Sequence, residues 1–249
     1  MRRLARIVGT LMIVGGIACL AWVVTVWQWQ DPLTAATHAL DQRRLENSFE
    51  ERLDDFDSRR PAQMEQPPAA DEEPDVPEVP RPSPAELRRA ILAEARAWRK
   101  ASGSGDPIAR LRLPTLDVSE IVVNGTDSST LKEGPGRYLG SAMPGENELV
   151  YIAGHRTTYG APFSRIDRLG RGDPVLVELP YGTFRYRVTG HRIVDDNDLT
   201  VLESKGFEQL ALQACHPRFF ASQRYIAYAE LVSVTPPGGE PQEIAAASG

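Results

Sequence analysis

Cysteine is scarce in this chain, 2 among 249 residues, and the two are far apart in sequence and setting. Cys19 lies inside an apolar run near the start, whereas Cys215 lies in the polar remainder. A disulfide within one folded domain is therefore excluded. An unpaired thiol such as Cys215 points to chemistry more than to a cross-link, with a buried inert cysteine as the plainer alternative. Histidine is also scarce, 4 residues in all (His38, His155, His191, His216), and no Cys-x-x-Cys or His-x-x-x-His spacing is present, so zinc lacks its ligand pattern. Asp195, Asp196 and Asp198 offer oxygen donors to calcium, but the glycine and distal glutamate of an EF-hand loop are missing, and the stretch reads as an acidic turn. Gly134-Pro135-Gly136 does not open onto a phosphate-cradling helix. No metal and no cofactor is expected. Basic charge is not in excess either: Lys+Arg 28 against Asp+Glu 34 gives net charge -6, which argues against a nucleic-acid partner.

There is a single long apolar run, at residues 7–29, and it follows the basic start Met1-Arg2-Arg3-Leu4-Ala5-Arg6. It is free of charges and long enough to cross the roughly 30 Å hydrocarbon core as a helix. Trp22, Trp27 and Trp29 crowd its distal end, where an aromatic belt would lie. The arginines predict a cytoplasmic N-terminus with the rest of the chain outside, a single-pass arrangement with an extracellular domain. A cleaved signal peptide is the rival reading, with Ala35-Ala36-Thr37-His38-Ala39 as the small-residue stretch, but the run exceeds the about 7 to 15 residues of a signal core.

Residues 1–30 thus form a cytoplasmic tip and transmembrane helix. Within 31–60, Leu45, Phe49, Leu53 and Phe56 recur at helical spacing among charges, a juxtamembrane amphipathic helix that packs on the domain, pairs with a copy of itself or acts as a spacer. Residues 61–84 combine prolines with acids, a linker whose role would be reach. Ser83-Pro84-Ala85-Glu86 has the cap, first-turn proline and third-position acid of a helix start; the helix runs through 85–105 with Leu87, Ile91 and Trp98 on one face. From 106 to 236, short strand-like runs at 110–113, 121–123, 149–153, 175–179, 184–193, 210–214 and 225–234 alternate with Gly, Pro, Asn and Asp. The pattern is all-β, a sandwich or a closed barrel. Residues 237–249 read as a disordered tail.

Three reactive residues stand at strand ends. Leu210, Leu212 and Ala214 share one strand face and Ala211, Gln213 and Cys215 the other, with Pro217 ending the ladder. Arg224 opens the next strand. His155 follows the apolar 149–153 run. A thiol is mostly protonated at neutral pH, so an imidazole and a cation are the neighbours it needs as a nucleophile. His216 is an alternative base by adjacency, although strand neighbours point to opposite faces. His191 reads as structural or surface, and Arg224 has a bland alternative in an ion pair with an acid such as Glu230.

The segments Glu133-Gly134-Pro135-Gly136-Arg137-Tyr138, Ala153-Gly154-His155-Arg156, Phe163 with Leu169 and Gly172-Asp173, Ala214-Cys215-His216-Pro217 and Arg224-Tyr225-Ile226 together resemble the sortases, the cysteine transpeptidases of Gram-positive bacteria. The Cys-His-Pro ending and tyrosine-rich last strand are most similar to class E of actinobacteria. The resemblance covers residues 111–234 and implies a closed sortase β-barrel with short helices near Thr130 and at 163–169. It further implies that Cys215 attacks a Thr-Gly bond in the C-terminal sorting signal of a secreted protein, that His155 is the general acid and base, and that Arg224 holds substrate or oxyanion. The acceptor would be an amine of peptidoglycan or of its lipid-linked precursor. In class E the implied signal is Leu-Ala-x-Thr-Gly. One departure is Ala214, where many sortases have threonine. A thiol hydrolase on the same fold and a non-catalytic surface binding module remain alternatives at this level.

Overall fold

The computed structural model describes residues 2–29, 32–58 and 83–243, with side chains left out for 26–29 and 32–36. The expectations for Trp27 and Trp29, for the small residues at 35–36, for nearly all of the acidic linker and for the last residues of the tail lie outside that set.

Helix α1, Arg2–Trp29, carries the apolar run, and Arg2–Thr25 is long and apolar enough to cross a membrane. Its described apolar side chains, Leu4, Ile7, Leu11, Met12 and Leu20 among them, face no protein. Helix α2, Pro32–Ser58, has the amphipathic stripe, and the structure shows what it faces. Leu45 and Phe49 are buried in the main core, Leu53 and Phe56 pack at its margin, and Phe56 meets Trp98 edge-on at 5.2 Å. Polar contacts fix its register on the barrel: Gln42 Oε1 accepts from the Ile121 amide at 2.7 Å while its Nε2 donates to the Glu133 carbonyl at 2.9 Å. Glu46 pairs with Arg110 and Arg52 with Asp106. Of the three readings open for this helix, packing on the domain is the one observed.

Helix α3, Pro84–Ala101, starts with the capping box: the Ser83 hydroxyl accepts from the Glu86 amide, and the Glu86 carboxylate accepts from the Ser83 amide. Ile91, Ala95 and Trp98 are its buried face, and the Trp98 indole donates to the Ile108 carbonyl at 3.0 Å. Both α2 and α3 therefore dock on the barrel. The linker between them lies, up to residue 82, outside the described residues.

The barrel strands are β1 (Pro107–Leu113), β2 (Val118–Asn124), β3 (Gly136–Arg137), β4 (Leu149–Ala153), β5 (Pro174–Leu179), β6 (Gly182–Asp195), β7 (Gln209–His216) and β8 (Gln223–Thr235). They run in the order β6-β5-β1-β2-β3-β4-β7-β8, and β6 pairs with β8 to close the ring. The short helix α4, Thr130–Glu133, and a 3-10 turn at Ile166–Arg168 occupy the two helical places anticipated. A further strand β9, Gln242–Glu243, pairs with Ser233 and Val234 of β8, so the span anticipated as a disordered tail includes a strand.

Strand alternation divides the side chains. Val150, Ile152, Leu210, Leu212, Ala214, Tyr225, Ala227 and Ala229 point into the main core. Leu149, Tyr151, Val194, Val201, Ala211 and Ile226 form a second, smaller cluster on the outer face. Entry into β7 is pinned by Glu208, a buried carboxylate that accepts from the Gly145 and Asn147 amides and from the Tyr186 hydroxyl at 2.7 Å. Burial raises its pKa, and the three donors oppose that rise.

Docking of α2 predicts that Phe49→Ala destabilises the whole chain by about 3 to 5 kcal/mol, as for other buried phenylalanines. Urea unfolding of the full chain in detergent, followed by circular dichroism, measures this; an unchanged midpoint would mean that α2 is not part of the core.

Candidate active site

The reactive rim is built by register. In the antiparallel β7–β8 pair, Cys215 lies directly opposite Arg224. In the parallel β4–β7 pair, Ala153 lies opposite Gln213, and the ladder continues one step as the Gly154 amide donates to the Gln213 carbonyl at 2.9 Å. His155 follows Ala153 by two residues, as Cys215 follows Gln213, so all three residues singled out in the sequence stand at the end of the β4, β7 and β8 strands. Within β7 and β8 the period of two places Cys215 and Arg224 on the outer face with Gln213 and Ile226; His155 lies past the end of β4, in a loop.

Each has its own setting. Cys215 is partly exposed and unpaired. Arg224 Nη1 donates to the carbonyls of Ala221 at 2.7 Å and Gln223 at 2.9 Å, and Nη2 lies 4.0 Å from Asp196. Its acidic neighbour is this aspartate, not Glu230, which lies opposite Gln209 and Arg187. Between β4 and β7, the Tyr151 hydroxyl donates to the Gln213 side-chain oxygen. Burial pushes the Tyr151 phenol well above its usual range, which keeps it a neutral donor.

His155 sits in a tight loop. Its Nδ1 is 3.5 Å from the Thr158 hydroxyl, and its ring is 4.9 Å from that of Tyr159. Burial is the first cause of a lowered pKa, and the nearby His38 and Lys132 lower it further. Gly154 allows the loop to form because a Cβ there would come within 2.7 Å of the Phe163 ring. Gly160 has φ +71, and a Cβ would fall 2.0 Å from the His38 ring, so α2 reaches the loop that follows the histidine. His38 Nε2 in turn meets Glu120 at 2.9 Å.

The opposite face holds residues to which sequence reasoning gave no role. Arg156, 3% exposed, reaches the Cys215 carbonyl, His216 and the Tyr225 ring. His216 turns to this inner side, as its position next to Cys215 requires, and is not arranged as the base for the sulfur. His191 stacks on Tyr225 at 5.0 Å. Ala214 fills a fully buried core position. Asp198 caps the 3-10 turn Leu199–Leu202 by accepting from the Thr200 amide and hydroxyl, which accounts for the acidic turn. Among the described residues no group of three or more His, Cys, Asp or Glu is arranged to hold a metal ion. The only signal that could have found Arg156 was its place in the Gly154-His155-Arg156 segment; the partner across the barrel end needed the fold.

The family model described as "Sortase domain" matches residues 111–232, from β1 to β8. Sortase D of Bacillus subtilis is 33% identical over 134 residues, which are 52% of this chain and 66% of that protein. Sortase SrtE1 of Streptomyces coelicolor is 31% identical over 157 residues, 55% of this chain and 45% of that protein. The chain thus matches two thirds or less of the length of these curated relatives. The structure of sortase E from Streptomyces avermitilis superposes with TM-score 0.50 and 32% identity, covering 56% of this chain and 97% of that one. With a solved relative matched over nearly its whole length and the family model confined to the barrel, this chain belongs to the sortase family.

Proposed function

We propose that the chain is a membrane-anchored cysteine transpeptidase that cleaves a Thr-Gly bond in a C-terminal sorting signal and passes the acyl group to a cell-wall amine. The observation that supports this reading is the register that sets Cys215 opposite Arg224, with His155 two residues past the end of the β4 strand that pairs with β7. The Cys215 sulfur attacks the scissile carbonyl, the C–N bond breaks, and His155 delivers a proton to the leaving amine. The acceptor amine then attacks the thioester, gives its proton to His155 and releases the thiol. Arg224, already anchored by two loop carbonyls, supplies positive charge where the carbonyl oxygen becomes negative.

Helix α1 supports membrane attachment, and the arginines in its first turns favour a cytoplasmic N-terminus with the barrel outside. The acceptor is then an amine of peptidoglycan or its lipid-linked precursor, and the substrates are secreted proteins that carry the signal. Likeness to Streptomyces class E relatives favours Leu-Ala-x-Thr-Gly over Leu-Pro-x-Thr-Gly.

The test is intact mass spectrometry of the full chain in detergent with each peptide, with and without an amine acceptor. A thioester adduct on wild type, absent from Cys215→Ala, together with an amine-dependent transfer product, is expected. Cleavage without transfer would replace the transpeptidase reading with hydrolysis, and activity that survives Cys215→Ala would reject the nucleophile.

The lowered pKa of His155 sets the pH dependence. The competent thiol–imidazole pair shares one proton, and a second proton on the imidazole shuts the reaction off. The acid limb of kcat/KM is therefore expected below the ordinary histidine value of 6.5. Lys132→Met removes a cation that opposes imidazolium, so the limb should move to higher pH. A limb that stays in place or moves lower would contradict the electrostatic account of His155.

A further inference from the structure

Arg156 is buried, and a buried guanidinium is costly unless several groups hold it. Four do. Nη1 donates to the Cys215 carbonyl at 3.2 Å and meets His216 Nδ1 at 2.9 Å; Nη2 pairs with Asp167 at 3.2 Å; and the guanidinium lies over the Tyr225 ring, 5.7 Å from its centroid. Only Asp167, half-exposed on its 3-10 turn, is a carboxylate. The other three partners belong to the ends of β7 and β8, the strands that carry Cys215 and Arg224. Arg156 Nε has no partner, so the side chain is not placed to maximise its own hydrogen bonding. Its contacts are concentrated on the peptide of the nucleophile.

The geometry also fixes a tautomer. Guanidinium can only donate, so His216 Nδ1 must accept, and the His216 proton resides on Nε2. Arg156 thus ties the backbone of Cys215 and the ring of its neighbour to the loop that holds His155, the residue just before it in the chain. Within the dipeptide His155-Arg156, the imidazole packs on Thr158 and Tyr159 while the guanidinium reaches the end of β7.

We propose that Arg156 is a positioning residue for acyl transfer, clamping the last peptide of β7 from the inner face so that the Cys215 sulfur keeps its place beside His155 and Arg224. The inference rests on the transpeptidase reading above. A β7 end without this clamp is held only by its ladder with β8, since the β4 ladder stops at the Gly154 amide. Displacement of about 1 Å in a reacting group costs on the order of 100-fold in rate.

The experiment compares wild type, Arg156→Gln, Arg156→Lys and the unrelated core variant Leu111→Ala, all as full chains in detergent, by single-turnover thioester formation and steady-state transfer. Arg156→Gln is expected to lower kcat and the thioester-forming rate by about 100-fold with KM within about twofold, because the reacting atoms and not the peptide surface are displaced. Arg156→Lys keeps the charge but bridges fewer acceptors, and should fall in between. Leu111→Ala should lose stability and keep kcat. With only 4 histidines in the chain, ring 15N shifts give a second reading: His216 is expected as the Nε2–H tautomer in wild type and as a mixture in Arg156→Lys. That reading remains if Arg156→Gln does not fold. A folded Arg156→Gln with kcat within twofold of wild type, a loss of kcat matched by Leu111→Ala, or a His216 tautomer unmoved by Arg156→Lys would overturn the proposal. If wild type forms no thioester, it is the transpeptidase reading that has failed, and this inference goes with it.

Discussion

The parallel pairing of β4 with β7 is the constraint from which the rest of the site follows. Antiparallel neighbours can be joined by a tight turn, and β7 and β8 carry Cys215 and Arg224 to each other in that way. His155 follows β4, a strand far earlier in the chain, and comes to the β7 end because Ala153 and Gln213 pair in parallel. Since a strand's side chains alternate, a one-residue slip would turn His155 inward and Arg156 outward. Both faces of β4 are buried, Val150 and Ile152 in the main core and Leu149 and Tyr151 in the smaller cluster, so a slip would force each set into a space shaped for the other. Hydrophobic burial thereby sets the register, and the register sets the chemistry.

The nucleophile strand is pinned at both ends by buried charges of opposite sign. At its entry Glu208 gathers two amides and a phenol; at its exit Arg156 grips the Cys215 carbonyl. Helix α2 adds a third restraint. It docks through Leu45 and Phe49 and brings His38 against Gly160, in the loop behind His155. Helix α2 therefore packs against the loop that holds His155, and its His38 is one of the neighbours that lower the His155 pKa.

Much of this was legible before any coordinates. Seven strands of the barrel came from strand-like runs with turn residues between them, and the Pro180-Tyr181 turn joins Leu179 to Gly182. The α3 capping box could be read letter by letter. What could not be read has physical reasons. Strands β3 and β9 are two residues long, too short for alternation to register. The α2 stripe announced a buried face but not its partner, because a helical period carries no address. Glu208 and Arg156 were invisible because acids and arginines are exposed almost everywhere, and their burial depends on partners distant in sequence. His216, Ala214 and the acidic turn at Asp195 to Asp198 took positions that alternation and capping explain once the strand ends are known.

The most direct test of the account is whether the Cys215 sulfur senses the protonation of His155. The rate of Cys215 alkylation by iodoacetamide, read on the peptide containing that residue, can be followed against pH for wild type and His155→Ala as full chains. The account predicts a step in the wild-type profile below the ordinary histidine range that disappears in His155→Ala, leaving only the rise due to the thiol itself. Superimposable profiles would show that the imidazole and the sulfur are not neighbours, and would contradict the register on which the site depends.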